Sequence, residues 1–403
     1  MRHLFAIPIL LLAASIASAA GVSSLDAPLQ SALEQRLLAD AADGRLDEFS
    51  PLEAALIASG VENGDSLLRY RRKAAALYEQ LSRSLDTAAP PRERSEAIFD
   101  FMHRRILRGG YELKNTDLRQ ALDGGRFNCV TATVLFNYLA GRSGIECRGL
   151  QMPGHAMSRL FLPDGPLDVE TTCPRWFQVK DDPRRRAAAV SQTIGAKSAG
   201  DSSNAREVAP LQLAAMIYYN RGVDLLADNR YADAVAANVK ALRLDPANET
   251  ARGNLLAAIN NWAIELGNRG EFAKAAGLLR DGMSLDANFA AFAQNFIHIH
   301  RQWAERLCRQ RRYDEALEMV DGLDVAALTA GDATPGWEHR LHALRGRALV
   351  LSGDADAGRP LLRDALPALR SLGTETPAEI EQMQRLLDED DAAGAGIVVD
   401  AGA

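Results

Sequence analysis

The chain has 403 residues, which is enough for two or three domains at roughly 100–200 residues per domain. Hydrophobic residues make up 47% of the sequence and charged residues 25%, a balance that is typical of folded globular proteins and argues against wholesale disorder. The net charge of −7, with no long basic tract, argues against nucleic acid as a main partner.

The first residues have the pattern of a targeting segment. Arg2-His3 is polar, residues 4–16 are almost entirely apolar, and Ala17-Ser18-Ala19 supplies small residues at the spacing that a signal peptidase cleaves. The apolar run is shorter than the roughly 20 residues that a membrane-spanning helix needs. We therefore predict a signal peptide at residues 1–19, a secreted or periplasmic protein, and no membrane span after cleavage.

Residues 20–91 are predicted to be a helical N-terminal region. Apolar side chains recur at three- and four-residue spacing from Leu29 to Leu85, as on the buried face of a helix. Ser50-Pro51-Leu52-Glu53 has the residues of a capped helix start, with Pro at the first helical position. Ala88-Ala89-Pro90-Pro91 interrupts the pattern, and a further helix is expected from Arg92 to Leu107.

Residues 92–186 combine helical and strand patterns and are predicted to form an α+β domain. Asn128 to Gly141 is expected to be a buried helix because it is apolar on most faces. Three strands are expected to follow it, separated by turns that contain Pro and Gly: Cys147 to Met152, His155 to Leu162 and Leu167 to Thr172. The protein as a whole should therefore be mostly α, of the α+β class.

The chain has four cysteines, which are too few for a disulfide scaffold and have no zinc-site spacing: Cys129, Cys147, Cys173 and Cys308. In an oxidising compartment Cys147 and Cys173 could pair, and buried free cysteines are the alternative. The glycine pairs Gly109-Gly110 and Gly124-Gly125 also lack the spacing of a phosphate-binding loop. No metal and no cofactor is therefore expected.

The segment Gly125-Arg126-Phe127-Asn128-Cys129-Val130, followed by the apolar helix, resembles the nucleophile region of the transglutaminase-like superfamily. That superfamily shares its core with papain-type cysteine proteases. In it a Cys opens a buried helix, a His begins a following strand, and an acid lies on the next strand. Cys129 and His155 occupy these positions here. Glu170 has the better spacing for the acid, and Asp168 is the alternate on the same predicted strand face.

These residues would suit acyl transfer. A thiolate is the reactive form of cysteine, and the partial positive charge at a helix N-terminus favours it. His155 could then hold and deliver the proton while the acid fixes its ring. The resemblance implies hydrolysis or acyl transfer at amide or peptide bonds. The alternative is a catalytically inactive transglutaminase-like module that serves as part of an interaction scaffold.

The C-terminal half repeats with a period of 41 residues, which Tyr231, Phe272 and Tyr313 define. The same offset separates two further sets, Ala234, Ala275 and Ala316, and Leu225, Leu266 and Leu307. A period of this kind indicates stacked supersecondary units. The run from Tyr219 to Pro246 resembles a tetratricopeptide repeat, whose usual period is about 34 residues, so the first helix would be about two turns longer here.

The repeats set the expected organisation of the rest of the chain. We predict a linker at residues 187–207 and tetratricopeptide-like repeats at 208–372 that form an α-solenoid. Residues 373–403 should be a capping helix, near Glu379 to Leu387, followed by an acidic, Gly-containing tail. The concave groove of such repeats would bind a protein or peptide partner.

Overall fold

The computed structural model describes residues 31–194, 205–323, 336–373 and 375–388. About 70% of the structure is helical and the rest includes a few small sheets, in agreement with a mostly α member of the α+β class. Within the described segments, no helix combines the length and apolar character needed to cross a bilayer. The predicted signal peptide and most of the predicted acidic tail lie outside the described residues.

The chain divides after Leu255 into two compact units, and the first holds all the strands among the described residues. Its N-terminal helices are α1 (Ala32–Asp40), α2 (Pro51–Ala58), α3 (Gly64–Ser84) and α4 (Pro91–Phe101), and a π-helical turn (Met102–Ile106) continues α4. As predicted, α2 starts with a capping box, in which Ser50 accepts from the Glu53 backbone N–H and the Glu53 side chain accepts from the Ser50 N–H.

The central part of the first unit is arranged around one buried helix. Its elements in chain order are β1 (Gly110–Tyr111), α5 (Leu118–Gly124), β2 (Arg126–Phe127), α6 (Cys129–Arg142), β3 (Cys147–Met152), β4 (His155–Leu162), β5 (Gly165–Val169), α7 (Trp176–Val179), α8 (Pro183–Ile194) and β6 (Arg206–Val208). Helix α6 packs against β3 and β4 on one side and against α2 and α4 on another. Because neighbouring elements cover helix α6 on several sides, its apolar residues are distributed around the helix and are not confined to one face.

Strands β3 to β6 form an antiparallel sheet in the order β5-β4-β3-β6. The first two strands have the predicted bounds, and the turn between them uses Gly154 at a φ of 71°. The third strand ends at Val169, three residues earlier than the pattern predicted. Glu170 and the two threonines after it therefore follow the strand instead of lying in it.

The predicted linker is partly regular structure. Residues 183–194 form α8, and β6 extends the sheet by pairing with β3. The composition of residues 187–207 suggested a loop. Alanine and serine are common in linkers and in short helices alike, so composition alone could not distinguish the two. Between these two elements, residues 195–204 lie outside the described part of the chain.

The first helical pair after the sheet belongs to the first unit. Helices α9 (Pro210–Ala227) and α10 (Tyr231–Leu244) pack together, and α9 also contacts α2, α6 and β3. Lys240 forms an ion pair with Glu34 at 2.9 Å, and the Tyr218 hydroxyl donates to the same carboxylate at 3.1 Å. The contacts thus divide the chain after Leu255, and not at the predicted linker.

The second unit is entirely helical in its described residues. Helix α11 (Glu249–Asn268) spans the division, and the later helices are α12 (Phe272–Leu285), α13 (Ala290–Arg309), α14 (Tyr313–Asp321), α15 (Trp337–Ser352), α16 (Ala355–Leu372) and α17 (Pro377–Asp388). Tyr231, Phe272 and Tyr313, the residues that defined the 41-residue period, each begin the second helix of a pair. The repeat in the sequence therefore corresponds to a repeat of helix starts.

Candidate functional site

Cys129 is the first residue of α6, and its position is fixed by the cap before it. The Asn128 side chain accepts from the Thr131 N–H at 3.0 Å, and the Asn128 N–H donates to the Thr131 hydroxyl at 2.9 Å. The Asn128 amide nitrogen also donates to the Thr116 hydroxyl at 3.1 Å. This buried network holds the sulfur at the positive end of the helix dipole.

The turn that leads into α6 requires a glycine. Gly125 has a φ of 72°, in the left-handed region, and an added Cβ would lie 2.4 Å from the Ile106 carbonyl oxygen. Only a residue without a side chain avoids both the strain and the clash. Gly125 ends α5 and lets the chain reverse into β2, which delivers Cys129 to the centre of the unit.

His155 begins β4 and forms a buried pair with Glu170. The His155 Nε2 lies 2.6 Å from the Glu170 Oε2, and the two residues are 3% and 2% exposed. Cys129 also lies close enough to the ring to raise the pKa of His155. Since Glu170 occupies Nε2, Nδ1 is the ring nitrogen left for the sulfur. The structure therefore brings together the three residues that the sequence proposed as a triad.

The electrostatics of this cluster favour a charged imidazole. Burial lowers the pKa of His155, but hydrogen bonds and Coulombic attraction to Cys129 and Glu170 outweigh it and raise the pKa from 6.5 to about 10. A protonated ring between two potential anions is the arrangement expected of a thiolate–imidazolium pair oriented by a carboxylate.

The Glu170 carboxylate is held on its other oxygen by Thr172. Its Oε1 accepts from the Thr172 N–H at 3.0 Å and from the Thr172 hydroxyl at 2.6 Å. Next to it, the Thr171 carbonyl oxygen contacts the His103 Nε2 at 3.1 Å. Burial lowers the pKa of His103 to about 4 although that hydrogen bond raises it, so this ring is neutral at pH 7. His103 and Thr172 thus fix the segment that carries the acid.

Asp168, the alternate candidate for the acid, is engaged elsewhere. Its carboxylate accepts from the Arg159 Nε at 2.6 Å and from the Arg159 Nη2 at 2.9 Å, and the two residues face each other across the β4–β5 ladder. The prediction that Asp168 and Glu170 share a strand face was wrong, because β5 ends at Val169 and strand alternation stops there.

Two tyrosines that the sequence did not single out lie near the triad. Burial raises the pKa of Tyr111, and the charges of Cys129 and Glu170 raise it further. Burial also raises the pKa of Tyr219, with a further contribution from Cys129, while a hydrogen bond to Gln151 opposes the rise. Tyr219 comes from α9, so the first repeat-type helix contributes to the surroundings of the cysteine. In the sequence, Tyr219 stood out only as the first residue of a Tyr-Asn-Arg-Gly run that belongs to the repeat.

All four cysteines are free thiols, so the pairing of Cys147 with Cys173 that was considered is absent; Cys129 and Cys173 are buried, and Cys147 and Cys308 are half-buried. Burial raises the pKa of Cys147 to about 11 and also raises those of Cys173 and Cys308. These three thiols are therefore poor nucleophiles at neutral pH.

The site itself is closed. Cys129 is 5% exposed, and it does not line the cavity of about 790 Å³ that lies beside the C-terminal half of α6. That cavity is bounded by residues such as Asn137, Tyr138 and Arg142, two or more helical turns from the sulfur. The described residues therefore leave little of Cys129 open to a substrate.

Comparison with known proteins gave no match of the chain to a family model, to a curated protein or to a solved structure.

Proposed function

We propose that this protein is an exported, transglutaminase-like cysteine enzyme that transfers or hydrolyses acyl groups at amide or peptide bonds. The observation that carries the proposal is the buried contact of 2.6 Å between His155 and Glu170, on a ring whose pKa Cys129 also raises. Few structural roles require a cysteine at a helix N-terminus, a charged imidazole and a buried carboxylate to meet in this order.

In the proposed reaction the Cys129 thiolate attacks the carbonyl carbon of the amide. The C–N bond breaks as His155 gives its proton to the leaving amine, and a thioester remains on the sulfur. Water, or a second amine, then gives a proton to His155 and attacks the thioester, which releases the acid or the new amide and regenerates the thiolate. The Cys129 backbone N–H, at an unsatisfied helix N-terminus, is one donor for the oxyanion.

Selective alkylation of the cysteine tests the proposal. The full chain is reacted with iodoacetamide between pH 5 and 9, and each modified cysteine is quantified by mass spectrometry. We expect Cys129 to react well below the pH at which an ordinary thiol does, roughly 8.5. The raised pKa values of Cys147, Cys173 and Cys308 make them internal controls that react only at higher pH.

The variant His155→Ala distinguishes a Cys129 thiol that the imidazole activates from one that is merely accessible to the reagent. It should remove the low-pH reactivity of Cys129, while Asp168→Asn, which alters only the Arg159 pair, should preserve it. An unchanged labelling profile in His155→Ala would contradict the proposed ion pair. Circular dichroism of each variant confirms that the fold persists.

A second candidate is a catalytically inactive module within an interaction scaffold. The burial of all three triad side chains favours it, because none is more than 5% exposed among the described residues. Under this hypothesis Cys129 labels slowly at every pH in the native protein, and labelling requires unfolding.

The helical repeats have the proposed role of binding a protein or peptide partner. The support is the 41-residue spacing of the helix starts at Tyr231, Phe272 and Tyr313, which is the regularity that stacked repeats need. Export to the periplasm or the exterior is proposed from the N-terminal segment 1–19. Mass determination of the protein purified from an expressing bacterium would show whether cleavage follows Ala19.

A further inference from the structure

Three side chains with metal-binding atoms converge on the surface of the second unit. His339 and His342 lie three residues apart on α15, so their rings project from one face of the helix, and Asp364 lies on the neighbouring α16. The Asp364 Oδ2 is 3.0 Å from the His342 Nδ1 and 3.7 Å from the His339 Nδ1. All three ligand atoms lie within 4.8 Å of one another.

One of these atoms has no hydrogen-bond partner among the residues that the structure describes. The His339 Nδ1 is buried and makes no hydrogen bond, since its distance to Asp364 exceeds hydrogen-bond range. A buried ring nitrogen without a partner is costly, whether it is a donor or an acceptor. The hydrogen bond between His342 and Asp364 therefore does not account for the cluster as a whole.

The spacing fits a bound ion. Two ligand atoms at about 2.0–2.2 Å from a tetrahedral metal lie roughly 3.4 Å apart, and the distances from Asp364 to the two imidazoles bracket that value. Two imidazole nitrogens and one carboxylate oxygen suit zinc and its neighbours in the first transition row. We propose that His339, His342 and Asp364 bind a divalent transition-metal ion of the Zn²⁺ type, with the remaining coordination positions open to water.

The scaffold holds the ligands in place. Helices α15 and α16 approach so closely that a Cβ at Gly346 would lie 2.8 Å from the Gly358 carbonyl oxygen, and a Cβ at Gly358 would lie 2.6 Å from the Gly346 oxygen. On the side of the core, Ala343 and Ala365, each adjacent in sequence to a ligand, are buried in one apolar cluster. Ligands on rigid, closely packed helices lose little entropy on binding. The ion would therefore clamp these two helices together.

Metal titration of the full chain tests the site. Zn²⁺ is added in competition with a chromophoric chelator, and the stoichiometry and affinity are compared among wild type, His342→Gln and Asp364→Asn. We expect one equivalent in the wild type and at least a tenfold weaker affinity in each variant. His298→Gln is the matched control, because His298 is also partly exposed on a helix of this unit but contacts Arg301 instead of the cluster.

Two further measurements, the absorption spectrum with Co²⁺ and the melting temperature with Zn²⁺, distinguish this site from other binding sites. The Co²⁺-loaded wild type should show ligand-field absorption without a thiolate charge-transfer band, which excludes binding at a cysteine. Zn²⁺ should also raise the melting temperature of the wild type and not that of His342→Gln, because a ligand that binds the folded state stabilises it. The proposal is overturned if the wild type binds no Zn²⁺ against the chelator, or if His342→Gln and Asp364→Asn bind as tightly as it does.

Discussion

Replacement of Glu170 by glutamine would measure how much of the first unit's stability depends on the buried pair with His155. The pKa of His155 is raised from 6.5 to about 10 in the folded state, chiefly because hydrogen bonds to Cys129 and Glu170 outweigh burial. A rise of this size corresponds to about 5 kcal/mol in favour of the protonated form. Since the folded pKa is the higher one, this stabilisation is complete below the unfolded pKa and is lost as the pH rises through the folded pKa.

The expected cost of Glu170→Gln therefore depends on pH. Cys129 and Glu170 both raise the pKa of His155, so Glu170 accounts for only part of the stabilisation. We expect that part to be about 3 kcal/mol at pH 6. At pH 9 most of the stabilisation has been lost in the wild type, and the variant should differ from it by only about 1 kcal/mol. Pulse proteolysis in urea, with mass spectrometry of peptides from α6, reports the unfolding of this unit separately from the other.

Asp168→Asn is the control for this experiment. Its pair with Arg159 has side chains that are 23% and 25% exposed, so its removal should cost about 1 kcal/mol or less. A loss in Glu170→Gln that is equal at pH 6 and pH 9 would refute the assignment of a protonated His155. A larger loss in Asp168→Asn than in Glu170→Gln would refute the choice of the acid.

Three other substitutions, two of them with a matched control variant, test how the site is built. Asn128→Ala should destabilise the first unit by about 1–2 kcal/mol, and the exposed cap variant Asn63→Ala by less, when both are measured by urea-dependent proteolysis. Gly125→Ala should cost roughly 2 kcal/mol or more in the same assay, because its φ of 72° and the backbone that faces it leave no room for a Cβ. Tyr219→Ala should speed iodoacetamide labelling of the triad thiol severalfold, while Tyr219→Phe, which keeps the ring, should leave the labelling rate near that of the wild type.

The parts of the fold that depend on near neighbours in sequence could be predicted. Helix α6 begins at Cys129 because Asn128 is a cap and an apolar run follows, and both signals lie within a few residues. Strands β3 and β4 have their predicted bounds because Pro153-Gly154 separates two runs of strand-forming residues.

What depends on distant contacts could not be predicted. The choice between Glu170 and Asp168 depended on where β5 ends, and the residue after Glu170 is held by distant ones: the Thr171 hydroxyl hydrogen-bonds with Thr133, and its carbonyl oxygen contacts His103. The linker prediction failed because β6 is formed by contacts with distant segments: it pairs with β3, more than fifty residues earlier in the chain, and Arg206 and Glu207 bond to Asp245 and Arg159.

The sequence by itself determined most of the long helices, the first two strands, the 41-residue spacing, and a Cys, a His and an acid in the order that the transglutaminase-like resemblance implies. Each of these is a local pattern, since capping, turn chemistry and hydrophobic period act within one or two turns of chain. Only the tertiary structure decided that Glu170 and not Asp168 meets His155, that Tyr219 approaches the cysteine, and that the first helical pair joins the sheet-containing unit. These three features depend on contacts between segments that are far apart in the chain. Packing of the whole unit brings those segments together, and such contacts produce no periodic pattern in the sequence.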